Sequence, residues 1–125
     1  MSLEFLTDVF PDHLRVEFRG SYTFADLIKQ IEPIKNAANE ARRDHILMDA
    51  RSIEGRMSES EKFFVGSHIA EVFGGRRKAV ALMPAGYVTK LGEMAAVNRG
   101  ARFLAPESEE EALKWLNARP AETVA

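Results

Sequence analysis

The stretch His-Ile-Leu-Met-Asp-Ala at residues 45–50 decides the fold, because it is a short apolar run of the kind that a buried parallel strand shows. Lys78 to Met83 is a second such run, ended by Pro84, and Ala101 to Leu104 is a shorter third one. Segments with apolar residues at helical spacing separate the three runs. Strands that alternate with helices are joined by crossovers, so the sequence predicts a mostly parallel sheet covered by helices.

Two strand-like segments precede this alternating part of the chain. Leu3 to Val9 and His13 to Arg19 flank Pro11-Asp12, which has turn chemistry. The pair predicts an antiparallel hairpin, so only the first strand should run against the others. The predicted order is β-β-α-β-α-β-α-β-α, in a single domain over residues 1–117 with a frayed tail over 118–125.

The sequence predicts four helices in this order. The first should be bent or interrupted at Pro33, and the third should begin at about Tyr87 and end at Gly100. Capping residues are predicted at the starts of the first, second and fourth helices: Thr23, Ser58 with Glu61, and Ser108 with Glu111. The residues themselves therefore predict an α/β fold with about four helices.

The composition limits the classes of function. Hydrophobic residues make up 46% and charged residues 29%, close to the average for soluble globular proteins. No apolar run approaches the ~20 residues that a bilayer crossing needs, and the first ten residues do not resemble a secretion signal. With no cysteine there is no disulfide framework or thiolate zinc site, and we expect a cytoplasmic protein. The net charge of -2 argues against nucleic acid as a partner.

Several short stretches resemble the SpoIIAA-like proteins of the STAS superfamily, the anti-sigma-factor antagonist fold. They are Arg19-Gly-Ser-Tyr-Thr23, Ile46-Leu-Met-Asp-Ala-Arg51, Ala96-Val-Asn-Arg-Gly-Ala-Arg-Phe103 and Glu110-Glu-Ala-Leu-Lys-Trp-Leu116. The resemblance spans about residues 3 to 117. It implies a mixed, mostly parallel sheet with an N-terminal antiparallel hairpin strand, and a regulatory protein that binds another protein.

The same resemblance points to a phosphosite. In better-known members of the superfamily, a partner kinase phosphorylates a serine in an Asp-Ser-Ser-Gly-like motif after the central strand, and this switches binding. The corresponding stretch here is Met57-Ser58-Glu59-Ser60, which lacks the leading aspartate and the glycine. Ser58 occupies the position of the switch serine and also caps the second helix.

The motifs that would carry catalysis are absent from the sequence. Gly74-Gly-Arg-Arg-Lys78 leads into a strand and not into a helix as a phosphate loop does, and Val65-Gly-Ser-His-Ile69 lacks the second glycine of a hydrolase elbow. The histidines, His13, His45 and His68, show no metal-ligand spacing. The sequence predicts a protein that is not an enzyme, with no cofactor and no metal site.

Ligands of open α/β sheets gather at the carboxyl ends of the parallel strands, and polar residues converge there. The predicted ligand- or partner-binding set is Asp49, Arg51, Arg56, Ser58, Tyr87 and Thr89. Arg51 and Arg56 flank the start of the second helix, where they would hold an anion together with its free amides. In the alternative interpretation, Asp49 and Arg51 pair with each other. The acidic run Glu107 to Glu111 is expected to be a solvated helix start.

Phe63 and Phe64 are adjacent near a helix start and cannot both face the same core. One should be partly exposed, as an interface for a protein partner or a homodimer. The leading hypothesis is a non-catalytic STAS-like regulatory or protein-interaction module that acts through the edge at residues 49–58 and the second helix. The alternative is a small-ligand-binding protein, with an anionic or amphiphilic molecule at the same edge between Arg51, Arg56 and Tyr87.

Overall fold

The computed structural model describes residues 2–84 and 91–118, and this part of the chain contains six strands and four helices. The strands are β1 (Glu4–Val9), β2 (Leu14–Ser21), β3 (His45–Asp49), β4 (Ile53–Glu54), β5 (Lys78–Leu82) and β6 (Arg102–Leu104). The helices are α1 (Phe24–Ala41), α2 (Glu59–Phe73), α3 (Leu91–Asn98) and α4 (Glu109–Asn117).

The sheet has the strand order β1-β2-β3-β5-β6, with the two-residue β4 paired to the end of β2. β1 is antiparallel to β2 and every other pairing is parallel, which confirms the predicted hairpin and mostly parallel sheet. Met48 lies at the centre, opposite Val16 of β2 and Ala81 of β5. β4 was not predicted, because two residues are too few to show a strand pattern.

The two faces of the sheet are covered by different helices, because side chains alternate along a strand. Ile46 and Met48 pack on one face in the larger core with residues of α1, α2 and α3. Leu47 points to the other face, where it packs in a smaller core with Ala112 and Leu116 of α4. Asp49 follows in the same alternation and emerges on the α4 side, at the end of β3.

The predicted helix caps are confirmed. The side-chain oxygens of Thr23 and Ser108 accept hydrogen bonds from the backbone N–H groups of Asp26 and Glu111. The helix α1 continues through Pro33, so of the bend or interruption expected there, the interruption is wrong. The buried Ile31 and Ile34 anchor both sides of the exposed proline, and this packing keeps the helix continuous.

Helices α2 and α3 approach each other closely at two glycines. A Cβ atom on Gly66 would lie 2.1 Å from the carbonyl oxygen of Gly92, so only glycine permits this backbone contact. The predicted start of the third helix near Tyr87 lies outside the described residues, as does nearly all of the tail predicted over 118–125. Over the ranges that are described, every helix is too short or too polar to cross a membrane.

Candidate functional site

Four charged side chains meet at the carboxyl end of β3, on the face covered by α4. Arg15 Nη2 donates to Asp49 Oδ2 at 2.7 Å and lies 3.3 Å from Glu109 Oε1. Arg51 Nη2 donates to the same two carboxylates, at 2.9 Å and 2.8 Å. Arg15, Asp49, Arg51 and Glu109 therefore form a closed ring, here called the charged network, that ties β2, β3 and the first turn of α4 together.

The charged network is internally neutral, since two guanidinium groups face two carboxylates. Asp49 is its most buried member, and the backbone N–H of Arg51 donates to it as well. The hydrogen bonds from the Arg51 side chain hold the pKa of Asp49 below its usual range, against the opposing effect of burial. The ionised forms of Asp49 and Arg51 thus stabilise each other. An anion bound at Arg51 would have to displace a carboxylate.

The start of α2 presents Ser58 to solvent. The Ser58 Oγ accepts a hydrogen bond from the Glu61 N–H at 3.2 Å, and the Ser58 N–H donates to Glu61 Oε1 at 2.9 Å. This is the predicted capping box, now confirmed in both directions. Arg56 is also exposed, two residues before the cap. The Ser58 hydroxyl is accessible to another protein while it fulfils its capping role.

The structure divides the predicted polar set. Asp49 and Arg51 are paired with each other in the charged network on the α4 face. Ser58 begins α2, which packs on the opposite face of the sheet. Tyr87 and Thr89 lie outside the described residues. Among the residues that the structure describes, no group of three or more histidines and acidic side chains is arranged to hold a metal ion.

Sequence reasoning missed two members of the charged network, Arg15 and Glu109. Glu109 was interpreted as a solvated residue of the acidic run, whereas it contacts both arginines. The only signal was the position of Arg15 on the polar side of a predicted strand, next to the strand that carries Asp49. That position does not indicate which side chain Arg15 pairs with.

An aromatic surface lies on the outer side of α2. Phe64 is 57% exposed, which confirms that one of the two adjacent phenylalanines is not buried. Its ring packs edge-on against Phe24 of α1 and against Phe63, with centroid distances of 6.4 Å and 5.6 Å. The guanidinium of Arg99, just after α3, lies 5.0 Å from the centre of the Phe63 ring. Phe24, Phe63, Phe64 and Arg99 are here called the aromatic surface.

Comparison with solved structures identifies the fold. An anti-sigma factor antagonist from Mycobacterium paratuberculosis superimposes with a TM-score of 0.65 and 12% identity, covering 94% of this chain and 96% of that one. An uncharacterised protein with a SpoIIAA-like fold from Shewanella loihica has a TM-score of 0.55 and 17% identity over 91% and 93%. The anti-sigma factor antagonist SpoIIAA, in its unphosphorylated form, has a TM-score of 0.52 and 15% identity over 89% and 94%.

The chain has the SpoIIAA-like fold, as its resemblance to STAS proteins implied. The match extends over nearly the whole length of both chains in each comparison. No protein-family model matches the sequence, and no curated protein matches it. At 12–17% identity the comparisons define the architecture and assign no role to particular side chains.

Proposed function

We propose that the chain is a non-catalytic regulatory module of the cytoplasm that binds a protein partner through the aromatic surface and the start of α2. The observation that carries the proposal is Phe64, a large apolar side chain that is 57% exposed on a helix. Two of the structures with the same fold are anti-sigma factor antagonists, proteins whose action is regulatory. Their function supports a partner-binding role here.

The chemistry of the aromatic surface suits a protein interface. Aromatic residues and arginine dominate the binding energy of interfaces. Here Phe64 packs against Phe24 and Phe63, and Arg99 lies against the Phe63 ring. Covering the exposed part of Phe64 would contribute about 1–2 kcal/mol. The edge-on contacts with Phe24 and Phe63 fix the ring before a partner arrives, so little side-chain entropy is lost on binding.

Ser58 would act as the control point of this interaction. A phosphate there adds a charge of about -1.5 to -2 next to the positive end of the α2 dipole, which favours it. The carboxylates of Glu59 and Glu61, in the same first turn, oppose it. A phosphate on Ser58 would place a strongly charged group at the start of the helix that carries Phe64. It would therefore weaken the binding of a partner that covers Phe64 and the start of α2.

A second role, binding of an anionic ligand between Arg51 and Arg56, has weaker support. The Arg51 guanidinium already donates to Asp49 and Glu109, at distances of 2.9 Å and 2.8 Å. An anion would have to compete with two carboxylates for the same hydrogen-bond donors. We therefore assign the charged network the task of holding α4 and the end of β3 in place behind the partner-binding surface.

The proposal is tested by calorimetry with the protein partner that co-purifies with the chain from its own host. Phe64→Ala should weaken binding at least ~10-fold, as expected of an interface hot spot. Val9→Ala is the matched control, because Val9 is equally exposed at 57% but lies on β1, away from α2. Wild-type affinity in Phe64→Ala would contradict the proposal.

Two variants of Ser58 separate its charge from its capping role. Ser58→Asp keeps a side-chain acceptor for the α2 cap and adds a negative charge, whereas Ser58→Ala removes the cap without adding charge. If a phosphate is the switch, Ser58→Asp should weaken partner binding and Ser58→Ala should not. Equal loss in both variants would assign Ser58 to helix stability alone.

A further inference from the structure

A cavity of about 110 Å³ lies between the sheet and the three helices α1, α2 and α3. Its walls are almost entirely apolar, and side chains from several elements line it: Phe18, Ile31, Met48, Ile69, Ala81 and Phe103. It is partly open to solvent and lies under α2, on the side opposite the aromatic surface. Close-packed protein cores leave few voids larger than a water molecule, so an opening of this size is a candidate ligand site.

A buried hydroxyl group, that of Tyr22, lies at the wall of this cavity. Tyr22 lines the cavity, and its buried hydroxyl makes no hydrogen bond of good geometry with a described residue, while the Glu61 carboxylate lies near enough to affect its pKa. Burial, and then the Glu61 carboxylate, raise the pKa of this hydroxyl, so it keeps its proton and remains a donor. Leaving a buried donor unpaired costs free energy, which a ligand that accepts the hydrogen bond would recover.

The charged side chains at the cavity have partners of their own. Lys62 Nζ lies 3.1 Å from Glu59 Oε1, and Glu93 Oε1 accepts a hydrogen bond from the Ala105 N–H at 2.9 Å. A charged ligand would have to disturb one of these contacts and lose its own hydration in an apolar space. The surroundings therefore favour a neutral molecule.

We infer that this cavity binds a small neutral apolar molecule, about one six-membered ring in size, which accepts a hydrogen bond from Tyr22. A buried apolar cavity of about 150 Å³ is known to hold benzene, and the present one is of similar scale and partly open. Met57 and Met83 line it as well, and their flexible side chains adapt to ligands of different shape. The site is separate from the aromatic surface and does not depend on partner binding.

The experiment is an NMR titration of the full ¹⁵N-labelled chain with three probes. Acetophenone carries a ring and a carbonyl acceptor, ethylbenzene has the ring alone, and benzoate is an anion of similar size. Acetophenone should shift the amide signals of the cavity-lining residues saturably. Ethylbenzene should shift the same signals with lower affinity, and benzoate should bind at least ~10-fold more weakly than acetophenone.

Two variants locate the binding. Tyr22→Phe keeps the ring and removes the hydrogen-bond donor. It should therefore weaken the binding of acetophenone about fivefold and leave the affinity for ethylbenzene unchanged. Ala81→Leu fills the cavity and should abolish binding of both, while Val9→Ala, on β1 and away from the cavity, should change neither. The inference is overturned by shifts that do not map to the cavity, by benzoate binding as tightly as acetophenone, or by a Tyr22→Phe variant that binds acetophenone normally. Should Ala81→Leu fail to fold, the Tyr22→Phe comparison decides alone.

Discussion

Arg15 and Asp49 are 34 positions apart in the sequence, yet the Arg15 guanidinium donates to the Asp49 carboxylate at 2.7 Å. The bond crosses from β2 to β3, and Asp49 at the same time accepts hydrogen bonds from Arg51. Glu109 of α4 closes the ring from above the sheet. This network joins β2 and β3 to the last helix, which also packs on the small apolar core around Leu47 and accepts a hydrogen bond from Lys78 Nζ at the Trp115 carbonyl oxygen.

Removing Asp49 should therefore be costly. The side chain is only 11% exposed, and Asp49→Ala would leave two arginines without their shared carboxylate. We expect a loss of about 2–4 kcal/mol in the free energy of unfolding, measured by urea titration. Glu17→Ala is the control, because Glu17 pairs with Arg19 at the exposed surface and should cost less than about 1 kcal/mol. Similar costs for the two variants would show that the charged network does not stabilise the fold.

The stability should also depend on pH through His45. Burial, then Lys78 and Arg102, lower the pKa of His45 below the value of about 6.5 that a free histidine shows. Between the two values the unfolded chain binds a proton that the folded chain does not, so stability increases with pH in that window. We expect the free energy of unfolding to fall as the pH drops from 7.5 to 5.5.

His45→Gln should flatten this part of the pH profile, because glutamine does not titrate. The measurement is a series of urea unfolding curves for both proteins across the same pH range. A slope that is unchanged in the variant would assign the pH dependence to another group. Asp49 acts at lower pH, since its depressed pKa contributes stability that is lost as the pH falls below its usual range near 3.8.

The close approach of α2 and α3 at Gly66 and Gly92 predicts a third effect. A methyl group on Gly66 would meet the carbonyl oxygen of Gly92 at 2.1 Å, so Gly66→Ala must push α3 away from α2. We expect a net cost of about 1–3 kcal/mol, although alanine favours the helix by up to ~1 kcal/mol. Gly74→Ala is a useful comparison, because its site is open and only its φ of +67° opposes alanine. A Gly66→Ala protein at least as stable as the wild type would show that the two helices can separate freely.

The fold was predictable because its signals are local. The run at residues 45–50, the Pro11-Asp12 turn and the Ser58 cap each act over a few neighbouring residues, and the structure has the expected strand, turn and helix start. The charged network was predicted only in part. Arg15 and Glu109 are 94 positions apart, and no periodicity in the sequence indicates that their side chains meet.

The cavity was not predictable at all, for a related reason. Its walls come from strands and helices throughout the chain, and most of the lining residues have the pattern of ordinary core positions. Tyr22 illustrates the difficulty. It directly follows β2, in the stretch Arg19 to Thr23 that resembles STAS proteins, and nothing in that stretch indicates a cavity. Whether a set of apolar side chains fills its space depends on the distance between helices, which close contacts such as Gly66 with Gly92 determine.

The aromatic surface makes a final prediction about self-association. With no partner present, Phe64 remains 57% exposed, and a second copy of the chain offers the same apolar surface to it. We expect sedimentation velocity to show a weak dimer whose fraction increases from micromolar to millimolar protein. Phe64→Lys should stay monomeric under these conditions, whereas Val9→Lys, at an equally exposed position on β1, should associate as the wild type does. A wild-type chain that is monomeric at the highest concentration would exclude the homodimer and leave binding of a different protein as the role of this surface.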